Sequence, residues 1–489
     1  MAVFPTVKSP RPGAKAPPPP GSQNYRAALE RLFHRRRFGM QPGLDVIRGL
    51  LEGLGNPERR YPAIHVTGSK GKGSVSVMAA AILTAHGLRT GLFTSPHLVS
   101  YRERIRLDGR EIDLESVVDG IDRVESVADR LEREGRIDRA PTFFEVTTAL
   151  ALDWFARQGA QAAVVEVGIG GRLDSTNVLD TRVGVITTME LEHTEVLGPT
   201  LASIAREKAG ILRTGTVGVI GELPTEAADV VRRETDVRGV PLWWLGREVR
   251  FEDRTLSTRG QTLTVRVPGF AFVDVRIPLL GNFQAANTAL AVAASVRFLG
   301  SVGREPDPAR VRRALAKVRW PGRLERVASS PELFYDVAHT PGSARALAQS
   351  VAEISPLADP EESAIVFGCL KGKDVGGILD ALVPLAKTVV LVPVRSDRSV
   401  PPAELRVSAF GRFPRIVLAP SAEAGVRIAR AATGPDGLTI VAGSDYLIGE
   451  LLRSEAPVDE PDLSDPGLGP PPHSAATPTT ERHRKGDRA

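Results

Sequence analysis

Two textures of apolar and polar residues alternate along most of the chain. Short, nearly unbroken apolar runs read as buried strands, and longer segments with apolar residues every three or four positions read as helices. Tyr61–Thr67 is the first such run. It is followed by the glycine-rich turn Gly68–Ser74, and then by a segment to Gly87 that carries Val75, Met78, Ala79, Ile82 and Leu83 on one stripe. Thr90–Thr94, Ala162–Val167 and Val183–Thr188 repeat the strand pattern. Leu44–Leu54, Leu114–Leu131 and a segment opened by Pro141-Thr-Phe-Phe-Glu145 repeat the helical one. In that last segment Thr142 and Glu145 have the spacing of a capping box, which accounts for both residue types without further function. Alternation at this spacing predicts an α/β fold with a parallel, doubly wound sheet.

The texture changes twice. From about Val240 to Pro278, Leu263–Val267 and Phe272–Ile277 alternate with period two and predict antiparallel ribbons. A helix from Phe283 to Phe298 follows. After Trp320-Pro-Gly-Arg323 a second α/β pattern begins, with strands expected at 333–337, 364–368, 388–392, 415–418 and 438–441. The predicted organisation is a tail over 1–22, a first domain over 23–321, a smaller Rossmann-like domain over 322–455 and a tail over 456–489. Both tails are rich in proline and polar residues and are expected to be disordered.

Composition narrows the picture only slightly. A length of 489 residues favours two or three domains over one. The net charge of +5 is too small at this length to single out nucleic acid over small anions. Arg31, Arg35, Arg36 and Arg37 cluster on a predicted helix, Tyr25–Phe38, and are expected to form a solvated face. A single cysteine, Cys369, rules out an intrachain disulfide and any cysteine-rich metal site. No run is long and apolar enough to span a bilayer, and the N-terminus lacks a secretory apolar core. Cytoplasmic location, no membrane or nucleic-acid partner and a monomeric state are the corresponding expectations.

Chemistry enters with the turn after the first strand. Strand, glycine loop and helix in that order form a phosphate cradle, because backbone N–H groups curl round an anion at a helix N-terminus. Lys72 is placed to reach the outer phosphates. The strict pattern has Ser or Thr directly after the lysine, whereas here Gly73 intervenes before Ser74. Further along, strands end in polar groups: Ser95 and His97, then Glu166, then Glu190, Glu192 and His193. Open α/β sheets bind ligands at such strand ends. Glu166 interrupts an apolar strand, and a carboxylate there is costly unless it is paired or metal-bound.

Eleven segments then carry a resemblance: HVTGSKGKGS, TSPHLVSYRERIRL, TFFE, EVGIGGRLDSTN, EHTEVLG, REKAGI, GNFQAAN, WPGR, DVAHTP, FGCLKGKD and GSDYLIGE, in this order. Together they make the chain, from about Tyr25 to Arg453, similar to the folylpolyglutamate synthase/dihydrofolate synthase family of the Mur ligase superfamily. The resemblance implies an ATP-dependent ligase that joins L-glutamate to dihydropteroate or to reduced folates through an acyl phosphate, with Mg2+. It implies that Gly71, Lys72, Gly73 and Ser74 hold the ATP phosphates, and that Asn287, Arg323 and Asp336 complete the ATP site. Ser95, Glu166 and His193 are the implied metal ligands, together with Lys208 in carbamylated form. Thr142, Phe143, Phe144 and Glu145 would lie on the pterin. His339 and Ser444 would orient the incoming glutamate, and Lys72, His193, Lys208 and His339 are the implied catalytic set. The sequence departs from the family pattern at Glu192, where many members carry Asp, and at Thr340, where many bacterial members carry Asn. KGKD at 371–374 also lacks an acidic residue that some relatives carry.

Two other functions fit parts of this pattern. A cell-wall amino-acid ligase of the same superfamily carries a further sugar-nucleotide domain before the phosphate loop, where two short helices are expected here. A non-ligating nucleotide switch or nucleic-acid-binding ATPase needs no DVAHTP or GSDYLIGE motif in a second domain.

Overall fold

The computed structural model describes residues 22–35, 39 and 41–455. The tail predicted over 1–22 lies outside these residues except for Ser22, which opens the helix Ser22–His34; the tail over 456–489, and Arg36, Arg37 and Phe38, also lie outside them. The first eight strands are β1 (Ala63–Thr67), β2 (Thr90–Phe93), β3 (Ile105–Leu107), β4 (Arg110–Glu111), β5 (Ala162–Glu166), β6 (Thr181–Ile186), β7 (Val217–Ile220) and β8 (Leu242–Trp244). They form one sheet in the order β4-β3-β2-β5-β1-β6-β7-β8. From β2 to β8 every neighbour is parallel, while β3 and β4 add an antiparallel edge. β1 lies in the middle with all five residues buried, so the loop that follows it emerges near the centre of the sheet.

The loop helix starts at Lys72, three residues earlier than its apolar stripe suggests, because the glycine turn delivers the chain straight into helical geometry. Val75, Met78, Ala79, Ile82 and Leu83 are all buried, and so is Ala80. The helix is covered on its other side by the helix Phe283–Ser301, and both belong to one apolar cluster. Each fully buried apolar side chain contributes about 1.5–3 kcal/mol, so this buried pairing anchors the phosphate loop from behind.

β9 (Arg250–Ser257), β10 (Gly260–Val267) and β11 (Phe270–Ile277) form a separate antiparallel sheet. The ribbons predicted from Val240 therefore begin near residue 250, and Leu242–Trp244 closes the large sheet instead. The second domain contains β12 (Glu325–Ser329), β13 (Glu332–Tyr335), β14 (Ala364–Phe367), β15 (Thr388–Leu391), β16 (Arg415–Leu418) and β17 (Leu438–Ala442). Their order is β12-β13-β17-β14-β15-β16, and only β12 runs antiparallel to its neighbour. β3, β4 and β12 escape prediction because they are short or half-exposed strands whose pairing partner sets their conformation.

The two domains meet closely. The helix Asp445–Glu455 passes so near Leu98 that a Cβ on Gly449 would lie 2.1 Å from the Leu98 carbonyl oxygen. The start of the helix Pro341–Ile354 meets Glu190, whose carboxylate lies 3.0 Å from the position a Gly342 Cβ would take. Of the clustered arginines, Arg31 stays about half exposed and Arg35 is mostly covered, while Arg36 and Arg37 lie outside the described residues. Arg31 pairs with Asp122 and Glu125, and Arg35 pairs with Glu125, on the helix Leu114–Arg133.

Below the site, β1 carries a fully buried histidine. Thr176 donates to the Asp174 carboxylate at 2.5 Å, so its oxygen accepts the Nε2–H of His65 at 2.8 Å. Nδ1 of His65 is left buried with no partner. Burial, assisted by Arg213, pushes this imidazole down to about 3. The unfolded chain takes up the same proton near pH 6.5. Between these values the unfolded state binds more protons, so stability is lost as pH falls through the window. His65→Gln is expected to flatten that slope by on the order of a few kcal/mol between about pH 7 and pH 4. Urea unfolding at a series of pH values measures it, and parallel slopes for the two proteins would contradict the buried-neutral assignment.

Candidate active site at the phosphate loop and domain interface

The cradle is held by hydrogen bonds from two sides. The end of β6 straps it: Ser69 N–H donates to Thr188 O at 3.0 Å, Lys70 N–H to Thr188 Oγ1 at 2.9 Å, and Thr187 Oγ1 to Lys70 O at 2.5 Å. The helix Phe283–Ser301 braces it: Gln284 Nε2 donates to Ser74 Oγ at 3.2 Å, and Asn287 Nδ2 to Gln284 Oε1 at 3.0 Å. Gly71 adopts a left-handed φ of 83°, and a Cβ there would lie 2.4 Å from Asn287 Oδ1. Only glycine meets both demands. Lys72 Nζ donates to Gly68 O at 2.9 Å and so folds its ammonium back over the loop.

Carboxylates gather round that ammonium. Glu166, at the C-terminal end of β5, accepts Ser95 N–H at 3.0 Å. Burial pushes its carboxyl upward, and Lys72, the Ser95 hydrogen bond, Arg323 and Arg104 only partly offset this. Glu192 behaves oppositely. Burial alone would raise it, but Lys72 and Lys208 outweigh burial and hold it at about 2. Lys208 Nζ donates to Glu192 Oε1 at 3.0 Å. Its sequence neighbour Glu207 pairs with Arg172 instead. Burial lowers the Lys208 ammonium to about 8 against the pull of Glu192. His193, next to Glu192, has a left-handed φ of 48° and precedes the short helix Thr194–Leu197.

Among the described residues, no three carboxylate, imidazole or thiol side chains form a ready metal cage. Glu166 and Ser95 nevertheless bring a buried carboxylate and a hydroxyl-bearing residue into direct contact. Such hard oxygen donors suit magnesium, which takes few protein ligands and fills its shell with water and phosphate oxygens.

The second domain supplies the opposite wall. Asp336 accepts Leu324 N–H and Ala338 N–H, each at 2.7 Å, and thereby clamps the segment after Arg323. Burial pushes its carboxyl up to about 6 despite Arg323. Leu324 sits at φ 48°, so the chain bends sharply just after Arg323. His339 donates Nδ1–H to Val337 O at 2.9 Å. Burial drives it to about 4 against Asp445, and Lys373 and Lys70 push the same way, so the ring is neutral at pH 7. Ser444 is buried, and its Oγ accepts Tyr446 N–H at 3.1 Å at the start of the last helix. A cavity of about 570 Å3 borders this wall beside Arg323 and Trp320.

The Thr142–Glu145 segment is partly committed elsewhere. Thr142 and Glu145 form the predicted capping box, and Arg139 binds the Glu145 carboxylate through two contacts of 2.8 Å. Phe143 is stacked on Phe33 at 5.3 Å with the Arg104 guanidinium 5.3 Å from its ring centre. Phe144 is the less buried ring. It leans on the loop after Glu166, where a Gly168 Cβ would meet it at 2.7 Å.

Sequence patterns did not single out Lys70, Thr187, Thr188, Gln284 or Lys373 as part of this assembly. Lys70 stands in HVTGSKGKGS, Gln284 in GNFQAAN and Lys373 in FGCLKGKD, so motif membership was the available signal for those three.

A family model of the Mur ligase middle domain matches residues 66–295, and one of the Mur ligase glutamate ligase domain matches residues 322–445. The dihydrofolate synthase/folylpolyglutamate synthase of Mycobacterium tuberculosis is 38% identical over 386 residues, covering 76% of this chain and 79% of that protein. A probable bifunctional folylpolyglutamate synthase/dihydropteroate synthase of Haloferax volcanii is 36% identical over 445 residues, or 87% of this chain, but the chain spans only 50% of that protein's length. The M. tuberculosis folylpolyglutamate synthase complexed with ADP and AMPPCP superposes with a TM-score of 0.82 at 34% identity, covering 90% of this chain and 100% of that one. An FPGS–AMPPCP–folate complex superposes at 0.77 with 30% identity, covering 88% of this chain and 100% of that one. The chain therefore belongs to the folylpolyglutamate synthase/dihydrofolate synthase family of Mur ligases.

Proposed function

We propose that this enzyme joins L-glutamate to dihydropteroate, to reduced folates, or to both, at the cost of ATP. The observation that supports it best is that charges from both domains share one buried site: Lys72 and Arg323 both act on Glu166, and Lys72 and Lys373 both act on His193. In this reading the division between domains falls at residues 321 and 322, and the enzyme is a cytoplasmic monomer. Phosphoryl transfer needs positioning and charge neutralisation more than covalent help. The substrate carboxylate attacks the γ-phosphate, giving an acyl phosphate and ADP. The glutamate amine then displaces phosphate to form the amide.

The loop N–H groups of Gly71, Gly73 and Ser74 would bind phosphate oxygens, with Lys72 turned from Gly68 O toward the transferring group. Asn287, Arg323 and Asp336 would fix the rest of the nucleotide. Ser95, Glu166, His193 and a carbamate on Lys208 would hold magnesium, which supplies neutralisation of phosphate charge when bound. Phe144 would face the pterin. The neutral ring of His339, with Ser444, would receive the glutamate; an uncharged imidazole does not repel its ammonium group. The test is mass analysis of products from ATP and glutamate with each pterin substrate in turn. No glutamylated product from any of them would overturn the reading.

Three outcomes are expected of variants. Lys72→Ala loses activity by about a hundredfold or more, and wild-type turnover would dismiss the phosphate-loop role. Phe144→Ala raises KM for the pterin far more than for ATP, because the ring touches one substrate only; equal changes in both would return Phe144 to a packing role. Lys208→Ala loses most activity and recovers part of it with added small carboxylic acids. The depressed Lys208 amine favours this chemistry, since only the neutral form adds CO2. An electron-density map of the magnesium-loaded protein that ends at Nζ, with near-normal turnover of the variant, would remove the carbamate.

A further inference from the structure

Gly73 stands between Lys72 and Ser74, one residue more than the strict phosphate-loop pattern holds. It is not there for its backbone. It lies within the helix Lys72–Ala85, and its φ is outside the left-handed range that Gly71 occupies. A helical glycine costs about 1 kcal/mol relative to alanine, so some other constraint must favour it. That constraint is Trp320. A Cβ on residue 73 would lie 2.8 Å from Trp320 Cζ2 and 3.2 Å from both Cε2 and Nε1. The indole lies against the first turn of the loop helix where any side chain would be. The Arg106 guanidinium lies over the same ring, 5.8 Å from its centre. The indole Nε1 is buried and has no acceptor, so packing rather than a hydrogen bond locates the ring.

Trp320 also opens the segment that joins the domains. Arg323 follows three residues later, and Asp336 clamps Leu324 beside it. The ring therefore stands where that segment meets the phosphate loop. We propose that Trp320 is a positioning residue for the phosphate loop: its ring seats the turn that carries Lys72 and Ser74, Gly73 is the space made for it, and the contact ties the loop to the interdomain segment. Part of the test rests on the nucleotide reading above, and part does not.

Four full-length proteins are compared: wild type, Gly73→Ala, Trp320→Ala and the double variant, with Trp320→Phe as the conservative control. Amide hydrogen exchange over residues 68–76, without nucleotide, reads loop order directly. Calorimetry with AMPPCP reads the consequence for binding. Trp320→Ala is expected to speed exchange locally at 68–76 and to weaken AMPPCP by about tenfold, and Trp320→Phe to restore both. Gly73→Ala should weaken binding in the presence of Trp320 and lose about tenfold of that effect in the Trp320→Ala background. An additive cycle, or loop exchange unchanged in Trp320→Ala, overturns the proposal. If Trp320→Ala does not fold, Trp320→Leu, which keeps bulk without a flat ring, takes its place. A wild-type protein that fails to bind AMPPCP instead refutes the nucleotide reading, and loop exchange still decides the role of Trp320.

Discussion

The constraint on which the rest depends is steric. At residues 68, 71 and 73 the backbone passes so close to its neighbours that a side chain has no room. A Cβ on Gly68 would lie 1.9 Å from Thr187 Oγ1, one on Gly71 2.4 Å from Asn287 Oδ1, and one on Gly73 2.8 Å from Trp320. The three neighbours come from the end of β6, from the helix behind the sheet and from the interdomain segment. Close approach is what lets the loop be braced by hydrogen bonds and packing on three sides. A loop that must present several N–H groups to one anion gains from being held before the anion arrives, since ordering it on binding would subtract from affinity.

Burial of charge is the second determinant. Lys72, Lys208, Lys70 and Arg323 act on Glu166, Glu192 and Asp336 at short range, and the responses differ because the neighbourhoods differ. Glu192 touches an ammonium and is held strongly acidic, whereas Asp336 touches backbone amides and burial prevails. Lys208 and His339 are both pushed toward their neutral forms. Perturbed amines, imidazoles and carboxylates gathered in one buried space mark it as a functional site.

The domains contribute differently. The first holds the loop, Glu166 and Glu192 at the ends of parallel strands, and Lys208 in the last turn of the helix Leu201–Ala209. The second brings Asp336, His339 and Ser444 on the ends of β13 and β17. Strand ends from two sheets thus face each other, and contacts such as Gly449 on Leu98 and Gly342 beside Glu190 leave little slack between them.

Local features were legible in the sequence because their cause is local. The apolar stripe of the loop helix, the capping box at Thr142, the glycine turn and most parallel strands follow from neighbours within a few residues. The site residues were legible largely as motifs, and motifs do not say what touches what. Thr142 and Glu145 sit in a site motif, yet their polar groups are spent on a cap and on Arg139. Glu192, a departure from the family pattern, proved to be the partner of Lys208. The extra glycine at 73 was visible but unexplained, because its reason stands 247 positions away in Trp320. The sequence by itself determined where most of the strands, turns and helices form, since periodicity and turn chemistry act over one or two turns of chain. Only the tertiary structure decided which charges share a buried space and which glycines lack room for a side chain, since both depend on distances between segments far apart in the sequence.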